Sequence, residues 1–192
     1  MRIIGGRLKG RRLARVKGQI RPTADRVREA IFNILGPDVN DTQVLDLFAG
    51  TGALGIEALS RGARNAVFVD NHPSALQVLQ QNLAQCGLIE VCRVLPLPAS
   101  QALTRLAASG ARFSLIFLDP PYGHGIPATL LPVLAQKNLL APNGQIIVEH
   151  SRLEDLAAAY QNLVRHDQRR YGATLVSFYT FSHHEHPGSP EV

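Results

Sequence analysis

Cysteine is scarce: Cys86 and Cys92 are the only two in 192 residues, and they do not form a Cys-x-x-Cys pair. That excludes a disulfide framework and leaves two reduced packing thiols, with no metal site expected from them. Long apolar runs are missing too, since no stretch approaches the roughly 18–20 residues that a membrane span requires. The opening Met1-Arg2-Ile3-Ile4-Gly5-Gly6 lacks the apolar core of a secretory signal, so the expectation is a cytoplasmic protein with no membrane partner. Acids are nearly absent from the first 28 positions, where ten Lys/Arg face Asp25 alone. That segment carries +9 and the remainder −4, for a net charge of +5. A basic arm on a mildly acidic body is what a polyanionic partner selects, because each phosphate contact releases counterions.

What is present is enough for one domain with an appendage. The hydrophobic share of 45% and charged share of 18% read as soluble and globular. In the arm, Ile3-Ile4, Leu8, Leu13 and Val16 are interleaved with glycines, which predicts a small hairpin over residues 1–21 with Arg7, Lys9, Arg11, Arg12, Arg15 and Lys17 facing outward as RNA contacts. A helix over 24–35 follows, N-capped by Thr23 and ended by Gly36-Pro37.

From Thr42 onward the pattern alternates. Strands are predicted near 43–48, 65–70, 90–95, 113–119 and 144–150, with helices near 52–61, 73–86, 99–109 and 127–138. A short helix near 152–160 and a terminal hairpin about Tyr171-Gly172 complete a domain over 22–182. The fold class is therefore α/β: a mostly parallel seven-stranded Rossmann-like sheet, ending in an antiparallel hairpin and covered by helices on both faces. Residues 183–192, with His183, His184 and His186, lack apolar periodicity and read as a disordered tail; a metal site there is not expected.

Two motifs carry chemistry. Gly50-Thr51-Gly52-Ala53-Leu54-Gly55 satisfies Gly-x-Gly-x-x-Gly between a strand and a helix, and Asp70 follows where an acid bonds a ribose hydroxyl. That pattern also serves a nicotinamide cofactor. Asp46, four residues before the first glycine, places negative charge near the pocket, which suits a cationic, phosphate-free cofactor such as S-adenosylmethionine. Glu57 adds to that bias if it faces inward. Gly50 and Gly52 are expected to let backbone approach the ligand, and Gly55 to pack.

The second motif, Asp119-Pro120-Pro121-Tyr122, closes the apolar run before it. Such a sequence also makes a plain rigid turn. Behind the glycine motif it gains another meaning. An exocyclic amine on a base is a poor nucleophile, and two acceptors on its hydrogens, the Asp119 carboxylate and the Pro120 carbonyl, orient its lone pair toward an electrophilic methyl group. Tyr122 supplies a face on which a base can stack, a contact worth about 1–3 kcal/mol.

Four stretches together give a resemblance that spans nearly the whole chain. They are Arg2-Ile3-Ile4-Gly5-Gly6, the run from Arg21-Pro22-Thr23 to Ile31-Phe32-Asn33, residues 46–57, and Asp119-Pro120-Pro121-Tyr122. The sequence resembles the bacterial RsmD-like methyltransferases, which methylate the N2 amine of a guanine in 16S ribosomal RNA. The resemblance implies S-adenosylmethionine as donor and, as substrate, 16S ribosomal RNA or a 30S assembly intermediate, with the guanine at position 966 as target and a monomeric enzyme. It implies Asp46, Ala49, Gly50 and Gly52 at the cofactor's methionine end, with Thr23 and Arg26 closing over its carboxylate. Asp70 with Asn71 would hold the ribose, and Ala99 the adenine. Asp119, Pro120, Pro121 and Tyr122 would hold the guanine. One departure concerns the adenine, where Leu97-Pro98-Ala99-Ser100 offers backbone in place of a polar side chain.

Three other readings stay open. One is a DNA or other RNA amino-methyltransferase, of which the DNA form is disfavoured because the chain has no sizeable extra domain to read a DNA sequence. A nicotinamide-dependent oxidoreductase leaves the arm and residues 119–122 without work. An RNA-binding module without catalysis would use the arm alone.

Overall fold

The computed structural model describes residues 1–16 and 23–182. Its elements run α1 (Thr23–Leu35), β1 (Gln43–Leu47), α2 (Ala53–Ser60), β2 (Asn65–Asp70), α3 (Pro73–Cys86), β3 (Cys92–Pro96), α4 (Ala99–Ala108), β4 (Phe113–Leu118), α5 (Ile126–Lys137), β5 (Leu140–Ser151), β6 (Ala159–Tyr160), β7 (Leu163–Tyr171) and β8 (Thr174–Phe181). The strands form one sheet in the order β3-β2-β1-β4-β5-β8-β7-β6. The first five are parallel, and β8 joins β5 in antiparallel sense. The seven expected strands are present, with the two-residue β6 added at the edge.

Strand parity divides the core. Val44, Phe68, Leu115, Phe117 and Ile147 point toward α1, α2 and α3. Leu45, Leu47, Ile116, Leu118 and Val148 point the other way, toward α4 and α5. Each fully buried Leu or Phe of this kind contributes roughly 1.5–3 kcal/mol relative to exposure. Residues buried on both faces explain why these strands read as nearly continuous apolar runs.

The helix expected near 152–160 is not formed; residues 152–154 make a turn and 159–160 a strand. Its carbonyls have other partners. Arg165 donates its backbone N–H to the Ala158 carbonyl at 2.8 Å and its guanidinium to that of Leu156 at 3.0 Å. The Tyr179 hydroxyl donates to Ala157 at 2.8 Å. Tertiary bonds of this number outweigh the helix propensity of an alanine-rich stretch of nine residues. Helix α1 includes Thr23 as its first residue rather than as a cap.

The expected N-terminal hairpin is present in short form: Arg2 and Arg12 make an antiparallel bridge, the Ile3 and Leu13 amides donate to the Arg11 and Met1 carbonyls at 3.0 Å, and Gly10 N–H donates to the Ile3 carbonyl at 2.9 Å; residues 17–21 of the expected span lie outside the described residues. What fixes the arm is the body beneath it. Ile3, Leu8 and Leu13 are buried in the α1–α3 side of the core. The Ile4 and Gly5 amides each donate to Glu57 at 2.8 Å, Leu8 N–H donates to Ser60 Oγ at 3.0 Å, and Ala14 N–H to Asn82 Oδ1 at 2.8 Å. Glu57 thus faces the arm and not the pocket, so the condition on which it would add to the charge of the pocket is not met. Arg61 completes its shell at 2.8 Å.

Pairings between helices orient α1. Arg28 lies beside Glu57, and Phe32 lies under Arg61, 5.0 Å from guanidinium carbon to ring centroid. A rise of four residues on α1 therefore matches one of four on α2, so the two helices run parallel. Arg26, in the first turn of α1, is exposed.

Candidate active site

The carboxyl edge of β1 and β4 is the topological switch of this sheet: the chain leaves β1 toward β2 on one side, while β4 lies on the other. Open α/β sheets bind ligands at such a point. The register places Leu47 beside Leu118, so residues 48–52 and 119–122 leave adjacent strand ends. The glycine turn and the Asp-Pro-Pro-Tyr motif, far apart in sequence, open onto one edge.

The glycine turn is shaped by carboxylates. Asp70, at the end of β2, accepts Gly50 N–H on Oδ2 and His72 N–H on Oδ1, both at 2.8 Å. Ala49 N–H reaches the Val69 carbonyl at 2.9 Å. Phe48, between β1 and the turn, sits at φ 64°, a region that costs a bulky residue about 1–3 kcal/mol. Its ring lines the adjoining cleft.

The glycines divide by role. Gly50 has φ 55°, and a β-carbon there would meet only the Phe48 carbonyl at 4.0 Å, so protein leaves that space open to a ligand. Gly52 donates its N–H to the Ala49 carbonyl at 2.7 Å and sits at φ 84°, the left-handed conformation that favours glycine; a β-carbon there would lie 2.5 Å from Leu79 Cδ1, the free end of a side chain. At Gly55 a β-carbon would strike the Phe68 ring at 2.3 Å, as a packing residue should.

Asp46 is placed below the turn rather than at its mouth. It is 1% exposed, on the face of β1 that meets α2, and accepts Gly55 N–H on Oδ2 at 2.9 Å. Burial pushes its carboxyl up to about 7, the Gly55 bond opposes the shift, and the charge of Asp70 adds to it.

Between β2, α4 and α5 lies a cleft of about 220 Å³, lined by Phe48, Asp70, Asn71, Pro98, Ala99 and Ile126 among others. That is below the roughly 300–1,000 Å³ of a site that encloses a whole ligand, and fits one flat, largely apolar portion of a larger molecule. Asp70 and Asn71 stand at one wall and the first turn of α4, from Ala99, at another. No side chain caps α4, and its first residues, Ala99 and Ser100, line the cleft. An adenosine fits these features: a ring in the slot, hydroxyls on the remaining lone pairs of Asp70, and the chain beyond it over Gly50. Thr23 is the first residue of α1.

On the β4 side, Pro120 is buried, Pro121 is exposed, and Asp119 and Tyr122 are half-buried. The Tyr122 hydroxyl donates to Glu149 Oε1 at 2.6 Å and lies 3.1 Å from Thr174 Oγ1. Burial first, then the charge and hydrogen bond of Glu149, raise the phenol above its ordinary range. Glu149, Thr174 and Phe48 were missed in the sequence. Phe48 read as the last apolar residue of a strand. Glu149 left one signal, a lone acid directly after the apolar run Ile146-Ile147-Val148.

On the arm, Arg7, Lys9, Arg11, Arg12 and Arg15 are all exposed. Arg11 also donates to the Gln85 carbonyl at 2.9 Å, and Arg15 lies 3.8 Å from Asp25. Lys17 and the tail histidines lie outside the described residues. Among the described residues no three His, Cys, Asp or Glu side chains converge as metal ligands, and no helix is long and apolar enough to cross a membrane.

The fold and this edge define a Rossmann-like methyltransferase, and comparison with known proteins agrees. The family described as "Conserved hypothetical protein 95" matches residues 1–180. YlbH of Bacillus subtilis (strain 168) is 41% identical over 93% of this chain and 98% of its own length. Ribosomal RNA small subunit methyltransferase D of Escherichia coli (strain K12) is 36% identical, over 93% of this chain and 89% of that protein. The solved structure of yhhF from Escherichia coli superposes with a TM-score of 0.83 at 36% identity, covering 94% of this chain and 97% of that one. The chain belongs to this family, the RsmD-like, S-adenosylmethionine-dependent ribosomal RNA methyltransferases.

Proposed function

We propose that this protein transfers a methyl group from S-adenosylmethionine to the exocyclic N2 amine of a guanine in 16S ribosomal RNA, by resemblance the one at position 966. One observation carries the reading: the glycine turn and residues 119–122 leave neighbouring parallel strands at a single sheet edge.

When bound, the cofactor supplies an electrophilic methyl group and the positive charge that suits an acidic edge. Asp70 and Asn71 hold its ribose, Gly50 passes beneath its chain, and the slot at Ala99 takes its adenine. Asp46 and Ala49 support the methionine end from below, with Thr23 and Arg26 closing from α1. Asp119 and the Pro120 carbonyl accept the two amine hydrogens, and Tyr122 backs the base. Pro121 stiffens the loop, so that the acceptors keep their spacing. The N–C bond then forms as the S–C bond breaks, and the surplus amine proton leaves to water. Alignment of this kind is worth roughly 7–11 kcal/mol and needs no acid–base residue of shifted pKa.

The arm, residues 1–21, holds RNA phosphates, while residues 22–182 form the methyltransferase domain. The protein acts as a monomer in the cytoplasm, on free RNA or an assembling 30S particle.

The test is transfer of a labelled methyl group to unmodified small-subunit particles, naked ribosomal RNA and DNA, with mass mapping of the product. Methylation of a guanine N2 in RNA is expected; a methylated DNA base, or NADH binding in place of S-adenosylhomocysteine, overturns the reading. Asp119→Ala should abolish transfer and leave RNA and S-adenosylhomocysteine binding intact. Retained activity removes Asp119 from the site. Neutralising Arg11 and Arg12 should weaken RNA binding at every sequence and flatten its salt dependence.

A further inference from the structure

The corner where β5 meets β8 holds a carboxylate in a place built for apolar residues. Ile147 opposes Phe178 across the pair and Glu149 opposes Val176, so these four side chains share one face. The face is apolar until its last positions at the carboxyl edge, where Glu149 and Thr174 replace what hydrophobic packing would fill. Glu149 is only 8% exposed and Thr174 only 7%. Burying a carboxylate is costly unless it is hydrogen-bonded, so its retention here calls for a task.

The Tyr122 hydroxyl meets both groups. The 2.6 Å contact to Glu149 lies in the range of a charge-assisted O–H···O⁻ bond, among the stronger side-chain bonds a protein makes. The second contact, to Thr174, comes from the other strand. Two anchors on two paired strands hold the far end of the ring, while Pro120 and Pro121 stiffen the near end. A tyrosine tethered at both ends has its ring plane set before any substrate arrives.

We infer that Glu149 is a positioning residue: together with Thr174 it sets the plane of Tyr122, making the ring a preformed wall for the target base. This rests on the reading of residues 119–122 as the base site. The raised phenol pKa keeps the proton on Tyr122 throughout the working pH range, so the donor is always present. Phenylalanine would offer the same stacking face, and the hydroxyl serves orientation only.

Two measurements on the full chain test this. Ring-labelled tyrosine NMR without RNA should show Tyr122 as a slowly flipping, anchored ring in the wild type, and as a mobile one in Glu149→Ala. Thermal unfolding and the S-adenosylhomocysteine affinity show that the variant keeps its fold. In methylation of small-subunit particles, Tyr122→Phe and Glu149→Ala should each lower kcat/KM about tenfold, and the double variant no further, as expected for one shared interaction. Glu149→Gln, which keeps an acceptor, should recover most of the loss. A Tyr122 ring already mobile in the wild type, or losses that multiply in the double variant, overturns the inference. If the wild type methylates no ribosomal RNA the proposed function falls, and ring mobility still decides whether Glu149 is an anchor.

Discussion

The two walls of the candidate site are held by different kinds of contact. On the glycine-turn side, backbone amides are bonded by carboxylates nearby in the chain: Asp46 to Gly55, nine residues apart, and Asp70 to Gly50, twenty apart. On the Tyr122 side, side chains meet across 27 and 52 residues. The arm is fastened in that second manner, Glu57 reaching Ile4 and Gly5 across 53 and 52. A motif can build the first wall by itself. The second exists only once the sheet is assembled.

Glu57→Ala should break the long-range class hardest. It is 1% exposed and accepts from two backbone amides and Arg61, so its loss strands three donors and leaves buried Arg28 with Asp25 as its remaining nearby carboxylate. Removing one partner of a buried ionic cluster costs about 3–5 kcal/mol. Urea unfolding should register that drop, and limited trypsin digestion should cut first in residues 1–16. A stable variant with a protected arm would mean that Ile3, Leu8 and Leu13 hold the arm alone.

The same division explains what was legible in the sequence. The parallel strands, α2 to α4, the glycine turn and Asp70 follow from periodicity and short spacing, and lie where expected. Whether Glu57 faces the pocket stayed open in the sequence, because its position on α2 was readable while the arm packed over it was not. The helix expected near 152–160 failed because its carbonyls are claimed by Arg165 and Tyr179 from the terminal hairpin. Glu149 and Thr174 went unnoticed because nothing local to either points at Tyr122.

Asp70→Ala probes the local wall. It removes two charge-assisted bonds that hold Gly50 and His72, together with the candidate ribose acceptor. Hydrogen bonds to a charged group are worth about 1.5–3 kcal/mol each, so S-adenosylhomocysteine affinity by calorimetry should fall about a hundredfold while the fold survives. Loss of the fold instead would show the turn to be as dependent on tertiary structure as the Tyr122 corner.

Asp46→Asn gives the smallest and most discriminating effect, because it depends on pH. The folded carboxyl titrates at about 7 against 3.8 in the open chain. The folded protein therefore keeps a proton that the unfolded chain has already lost, and its stability falls as pH rises through that interval and levels off above it. Between pH 5 and pH 8 the wild type should lose roughly 2–3 kcal/mol on this account. Asparagine keeps an oxygen to accept Gly55 N–H and cannot ionise, so the variant should lack that slope and be the more stable protein at pH 8. Parallel curves for the two proteins would place a compensating positive charge beside Asp46, making this wall depend on more than its own local bonds.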